Sequence, residues 1–457
     1  MKFKRIKRLH FVGIGGVGMC GIAEILHNSG YEITGSDLKA SETTAHLENT
    51  GIKIYFSHNP ENVISSDVVV TSSAVTDDNP EVAEAHSRKI PVIKRAEMLS
   101  ELMRMKFSIA VAGTHGKTTT SSLIGHLLTK GGLDPTVIVG GRVLELGSNA
   151  YLGKSEYLVA EADEFDRSIV RFSPTIAVIT SLEPEHMECY VDYSDLEDCF
   201  IDFANRVPFY GSVILCVDDP GVSRIEQHIK RPVLSYGISK DRDFGADGIE
   251  FNESGTSFTL YHRGDYLTRV FSRLYGNHNI RNLLAAITVA HDLEVPLETV
   301  IPEIESFSGV NRRMEFAGEA KGVKFFDDYG HHPTEIKTTI EGMKAVFGGR
   351  IVAVFQPHLY SRTKRFYKEF GGSFSDADKV LVLDIYPARE KPINGVSGEM
   401  IVEAARKFGH RDITFLKNKE ELPSRMKRIL KKGDRVIMFG AGDIFKFTPR
   451  IIEDLKE

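Results

Sequence analysis

Short apolar runs recur along this chain, each followed by a polar, glycine-bearing turn and then by apolar residues at helical spacing. Such alternation predicts β-α units laid into parallel sheets. The first run, Leu9-His10-Phe11-Val12, leads into Gly13-Ile14-Gly15-Gly16-Val17-Gly18 and then a stripe of Ile22, Ala23, Ile25 and Leu26. Strands at 31–37, 67–71 and 90–93 continue the series and predict a small doubly wound fold ending near residue 105. A second series opens with the strand 107–112, followed by a helix carrying Leu123, Ile124, Leu127 and Leu128, and strands at 157–160, 175–179 and 212–215. Between 245 and 273 the period shortens to two, with Phe251, Phe258, Leu260 and Tyr261 among polar residues, which predicts a small antiparallel appendage. A helix over 282–289 closes that series. The polar stretch 306–313 reads as a hinge, and strands at 323–326, 351–355, 380–383 and 436–439 form a third. The expected architecture is α/β in three domains: a Rossmann-like domain over 1–105, a central parallel-sheet domain with its appendage over 106–311, and a C-terminal Rossmann-like α/β domain over 312–457.

Composition narrows the partners. The 457 residues are 42% hydrophobic and 26% charged, an ordinary globular balance for a chain of several domains. A net charge of −6 supplies no global basic field, so no nucleic-acid partner is expected. The basic run Lys2, Lys4, Arg5, Lys7 and Arg8 reads as a solvated face beside the first strand. No apolar run approaches the roughly 18 residues a membrane helix needs, so no membrane partner is expected either. Four cysteines without metal-site spacing suit a reducing cytoplasm, and the expected location is cytoplasmic.

The segment Gly113-Thr114-His115-Gly116-Lys117-Thr118-Thr119 carries the clearest chemistry. It joins a strand to a helix N-terminus, where backbone N–H groups and the helix dipole face an anion. Lys117 is placed to reach outer phosphates and the Thr118 hydroxyl to ligate Mg²⁺, so a nucleoside triphosphate is the expected ligand. The first glycine stands only three residues before the second, a shorter spacing than the common phosphate loop. The turn at Gly13, Gly15, Gly16 and Gly18, with Asp37 about twenty residues on, marks a pyrophosphate site. Taken alone it fits a redox dinucleotide as well as a UDP diphosphate; the triphosphate loop beside it favours the latter.

Further polar clusters sit at predicted strand ends. Glu161-Ala162-Asp163-Glu164 follows 157–160, with Glu161 the best Mg²⁺ ligand because it lies nearest the strand. His186 leaves 175–179 and is a candidate for a second cation. Asn277, Asn279 and Asn282 open a helix; their side chains offer donor and acceptor to an adenine edge, or Asn277 or Asn279 caps the helix. Arg312-Arg313 lies in the hinge, Asp327-Asp328-Tyr329-Gly330-His331-His332-Pro333 follows 323–326, and Gln356-Pro357-His358-Leu359-Tyr360-Ser361-Arg362 follows 351–355. Acid, His and Arg clusters at successive strand ends read as a site wall, with an Arg able to bind a carboxylate.

In that order these segments, from the glycine-rich start through Gly-Thr-His-Gly-Lys-Thr-Thr, Glu-Ala-Asp-Glu, Asn-His-Asn-x-x-Asn, Arg-Arg and Asp-Asp-Tyr-Gly-His-His-Pro-Thr-Glu to Gln-Pro-His, resemble the Mur ligases over nearly the whole chain. The resemblance implies an ATP- and Mg²⁺-dependent amide-forming enzyme of peptidoglycan precursor synthesis, a P-loop-type central domain, and UDP-N-acetylmuramate and L-alanine as substrates. A tripeptide-recycling relative of the same fold is the alternative, and an NAD-dependent dehydrogenase a remote one. The family implies that Gly13, Gly15, Gly16, Gly18, Asp37, Ser72, Ser73, Arg95, Gly141 and Asn149 face the UDP substrate. Gly113, Thr114, His115, Gly116, Lys117, Thr118, Thr119, Asn279, Asn282, Arg313 and Asp328 would face ATP. Thr118, Glu161 and His186 would hold metal, and Tyr329, His358 and Arg362 the amino-acid side. Lys117, His186, His331 and Arg362 would be catalytic, with His331 a hypothetical proton acceptor. A monomer or a homodimer is expected.

Overall fold

The computed structural model describes residues 5–72, 74–140, 150–165, 167–185, 187, 189–388 and 390–456. Among these residues three sheets carry the fold. The first is parallel, with strands in the spatial order Lys53–Tyr55, Glu32–Ser36, Arg8–Val12, Val68–Thr71 and Val92–Lys94. The strand order reverses beside Arg8–Val12, and an open α/β sheet gathers its ligand crevice at such a point. Helix Val17–Asn28 starts there, because Gly16 holds an extended conformation (φ −65°, ψ 137°) that turns the chain from strand into helix.

The second sheet runs Asp265–Ser272, Gly255–His262, Phe244–Asn252, Val233–Gly237, Ser212–Cys216, Ile176–Ile179, Phe107–Ala112, Tyr157–Glu161, Thr136–Ile138 and Ala150–Tyr151. Its middle is parallel. The last three strands in sequence are joined by two-residue connections, which only antiparallel neighbours permit. At the second of these, Arg263 and Gly264 both have positive φ (51° and 88°), the requirement of a tight hairpin turn that follows strand twist. Helix Lys117–Lys130 buries Leu123, Ile124, Leu127 and Leu128 completely. One continuous apolar cluster runs from Leu9 and Phe11 through Ala110, Ile179 and Phe200 to Ile225.

The third sheet is ordered Glu315–Ala320, Val323–Asp328, Arg435–Phe439, Ile351–Phe355, Lys379–Leu383 and Ile413–Leu416; the first pair is antiparallel and the rest parallel. The chain is therefore three α/β domains, as the sequence pattern predicts. It packs as two compact units, one of residues 1–248, 258–270 and 281–308, the other of 249–257, 271–280 and 309–457.

Several elements differ from the sequence reading. Lys53–Tyr55, Thr136–Ile138, Val233–Gly237, Glu315–Ala320 and Ile413–Leu416 are strands that the apolar pattern did not mark. Three of them have only three or four residues, and Glu315–Ala320 and Val233–Gly237 lack a continuous apolar run, so their identity as strands comes from a neighbour's backbone. The strand expected at 90–93 is Val92–Lys94, because Pro91 has no N–H to donate to a ladder. The helix expected over 282–289 extends to Asn277–Asp292. No helix among the described residues is long and apolar enough to cross a membrane.

Candidate functional site

At the carboxyl end of the first sheet, the Gly13 turn is built on one carbonyl. The N–H groups of Gly13 and Ile14 both donate to Ser36 O, at 2.8 and 3.0 Å. Asp37 Oδ2 accepts the Gly15 N–H at 2.9 Å. The Arg95 side chain lies over Gly18, with Nη1 3.1 Å from where a Cβ on that glycine would stand, and Ser72 Oγ stands equally close (3.0 Å) to Gly13. Gly13, Gly15, Gly16, Gly18, Asp37, Ser72 and Arg95 thus meet at one crevice, while Ser73, Gly141 and Asn149 lie outside the described residues. Below the turn, Ser36 Oγ donates to the fully buried Glu81 at 2.5 Å, and Asn62 Nδ2 and His58 Nδ1 lie 2.6 and 2.9 Å from the same carboxylate. Burial opposes that charge, but hydrogen bonds from His10, Ser36 and Asn62 prevail and hold its pKa down at about 2.

The phosphate loop leaves the middle of the second sheet. Gly113 and Gly116 take φ of +138° and +83°, and the loop is clamped from the next strand. The one proton of Thr180 Oγ1 is shared between Ala112 O (3.2 Å) and His115 O (2.5 Å). Ser181 Oγ accepts the His115 N–H at 2.8 Å, and Thr114 N donates to Ser181 O at 3.1 Å. Lys117 Nζ donates to Gly113 O at 2.5 Å and to both oxygens of Glu164, at 3.0 and 2.9 Å. Burial works against the ammonium, but Glu164, Asp163 and Glu185 outweigh it and raise its pKa. Asn282 Oδ1 accepts from Thr120 Oγ1 at 3.0 Å on the helix that follows the loop. Asn279 Nδ2 donates to Tyr275 O at 2.9 Å at the start of helix Asn277–Asp292.

The residues present fit a divalent cation. Glu161 ends its strand beside the Thr118 hydroxyl and the Gly140 N–H, and burial pushes its pKa up. Its Oε1 is buried with no hydrogen-bond partner among the described residues. Glu161, Asp163, Glu164 and Glu185 thus crowd around a single lysine, an excess of carboxylate that a hard oxygen-seeking ion such as Mg²⁺ neutralises. His186 lies outside the described residues.

In the other unit, Asp328 is almost wholly buried and uses both oxygens on backbone N–H groups, Met314 at 2.8 Å and Gly330 at 2.7 Å. Burial is the main cause that lifts its pKa to about 6, against the pull of Arg313. Arg313 stands 3.5 Å from Glu335 and over the Tyr329 ring. His331 Nδ1 lies 3.0 Å from Tyr329 O, which keeps the proton on Nδ1 and makes Nε2 the lone-pair nitrogen. The His331 and His358 rings stand 6.3 Å apart, and His358 stacks on Tyr386. Arg362 sits in the first turn of helix Tyr360–Ser373, just beyond His358.

Family models match in three consecutive blocks: the Mur ligase family catalytic domain over residues 8–107, the Mur ligase middle domain over 111–290, and the Mur ligase glutamate ligase domain over 312–442. The chain belongs to the Mur ligase family. A curated relative, the UDP-N-acetylmuramate–L-alanine ligase of Geobacter sp. strain M21, is 49% identical over 455 residues, 99% of each chain. The crystal structure of the UDP-N-acetylmuramate-alanine ligase of Thermotoga maritima superposes with a TM-score of 0.82 at 28% identity, covering 98% of each chain. A murein peptide ligase from Psychrobacter arcticus shares the fold (TM-score 0.72, 24% identity, 99% of each chain).

Within this Mur ligase, motif reading did not single out Glu164, Thr180, Ser181 or Glu335. Glu164 was visible only as one of several acids after a strand. Glu335 closes the cap of helix Pro333–Phe347, taking the His331 and His332 N–H groups on Oε2 at 2.9 and 3.2 Å. Its sequence signal was a cap, an acid following Pro333-Thr334, rather than a site.

Proposed function

We propose that this Mur ligase joins L-alanine to the carboxylate of UDP-N-acetylmuramate at the expense of ATP, giving the amide, ADP and phosphate. The observation that carries the reading is the clamped phosphate loop with Lys117 beside the orphaned Glu161 Oε1, at the ends of two paired strands. Residues 1–105 bind the UDP substrate at the Gly13 turn, 106–311 bind ATP, and 312–457 bring the amino-acid side. Lys117 and the loop N–H groups neutralise phosphate charge, while Thr118, Glu161 and His186 hold Mg²⁺. The ion supplies electrostatic relief for phosphoryl transfer. A carboxylate is a poor acyl donor, so the γ-phosphoryl first converts it to an acyl phosphate. The L-alanine amine then attacks, and phosphate leaves. The amine must be neutral to attack, and His331, with its lone pair on Nε2, takes the proton. By the family resemblance, Arg313 and Asp328 are the candidate ATP-side residues of the C-terminal domain, and Tyr329, His358 and Arg362 its candidate L-alanine-side residues. None of the four cysteines is in a disulfide, which supports a cytoplasmic setting.

Phosphate release from ATP is expected only when UDP-N-acetylmuramate and L-alanine are both present. Release with a murein tripeptide and not with L-alanine would reassign the chain to peptide recycling. Turnover of a nicotinamide cofactor would remove it from ligase chemistry altogether.

A further inference from the structure

Lys117 has three ammonium protons, and the protein takes all three. Gly113 O accepts one at 2.5 Å, and Glu164 Oε1 and Oε2 lie at 3.0 and 2.9 Å. A phosphate oxygen reaching Nζ must therefore displace one of these acceptors. The two partners differ in freedom. Lys117 is a flexible four-carbon arm at a helix N-terminus. Glu164 is fully buried and pinned through its own backbone, where its carbonyl accepts the Tyr190 hydroxyl at 2.6 Å and the Arg167 N–H at 3.0 Å. Arg167 is held in turn by Asp195 and stacks 5.1 Å over the Tyr190 ring. The backbone that carries the Glu164 carboxylate is thus fixed, whereas the lysine arm is long enough to swing.

We propose that Glu164 is a positioning residue of the triphosphate site: its carboxylate holds Lys117 in place of a phosphate, and ATP binds by taking Lys117 from it. The inference rests on the reading of Lys117 as a phosphate ligand. It assigns Glu164 a definite energetic sign. The carboxylate competes with the triphosphate for one cation, so the intact pair lowers ATP affinity below what an uncontested lysine would give. A buried ion pair that merely braces the loop has the opposite sign, since breaking it weakens the loop and the nucleotide with it.

The test is calorimetric titration of the full-length chain with adenylyl imidodiphosphate and Mg²⁺, for the parent, Glu164→Gln, Lys117→Met and the double variant, with ligase kinetics alongside. Glu164→Gln is expected to bind the analogue about tenfold tighter and to lower KM for ATP similarly. Lys117→Met is expected to weaken binding at least tenfold, and in that background Glu164→Gln should change affinity less than about twofold. Unchanged or weaker binding by Glu164→Gln, with Lys117→Met still weak, would overturn the proposal. So would the same tightening in the Lys117→Met background, which would mean simple charge repulsion. Unchanged binding by Lys117→Met would instead sink the phosphate-ligand reading itself, and the proposal with it. Should Gln at 164 prevent folding, Glu164→Asp keeps the charge and withdraws it from Nζ; tightening of about threefold supports the proposal, and unchanged or weaker binding overturns it.

Discussion

Gly113→Ala isolates what the shortened phosphate loop requires. At φ +138° Gly113 occupies backbone space that other residues enter only under strain, at a cost of about 1–3 kcal/mol. A Cβ there would stand 2.1 Å from Thr180 Oγ1 and 2.9 Å from Ser181 N. Thr180 cannot step aside freely, because Oγ1 bonds both Ala112 O and His115 O. Losing that shared hydrogen bond adds about 1 kcal/mol. The sum, about 2–4 kcal/mol, appears as lost stability or as a rebuilt loop with lost ATP affinity, where about 3 kcal/mol is more than a hundredfold in Kd. Urea unfolding and calorimetric titration with adenylyl imidodiphosphate measure the two shares. Gly132→Ala is the control: φ is +87°, yet nothing lies within 4 Å of its Cβ position, so backbone strain of about 1–2 kcal/mol is the only cost and affinity is unchanged. A Gly113→Ala protein within about 1 kcal/mol of parental stability and threefold of parental affinity would refute the clamp argument.

Glu161→Gln should raise the Mg²⁺ concentration for half-maximal ligation at least about tenfold, the equivalent of one lost charge-assisted contact, measured by phosphate release across a magnesium series. Asp37→Asn weakens the acceptor for the Gly15 N–H and should raise KM for UDP-N-acetylmuramate about tenfold with KM for ATP unchanged. Burial lifts the Asp327 pKa to about 6 from an ordinary 3.8, so its carboxylate burdens the folded state at neutral pH. The stability it contributes is full below about pH 4 and lost as pH rises through 6. Asp327→Asn should therefore stabilise the protein by about 1–3 kcal/mol at pH 8 and by little at pH 4, read from thermal melts. Glu81 has the opposite sign. Its pKa falls from 4.5 to about 2, so its contribution is full well above pH 4.5 and lost as pH falls toward 2. Glu81→Gln should cost about 2–4 kcal/mol at pH 7 and progressively less in acid, because it breaks a buried charged network.

The sequence alone determined the parts of this protein that depend on local pattern. Apolar runs alternating with helical stripes point to parallel α/β layers, and the spacing of Gly113, Gly116 and Lys117 to a glycine turn at a helix start. Both follow from backbone geometry within a few residues, so both are legible without a partner. Edge strands such as Lys53–Tyr55 and Ile413–Leu416 were not legible, since three or four residues become a strand only beside an existing ladder. The same limit governed the site. Lys117 was visible in its motif, but its hold on Glu164 spans 47 residues and exists only because the strands Phe107–Ala112 and Tyr157–Glu161 pair in register. Asn282 was visible in its motif, but its hydrogen bond with Thr120, 162 residues away in sequence, was not. Residue types and short spacings tell which chemistry a chain can perform. Which donor meets which acceptor depends on strand register and burial, and tertiary structure decided that.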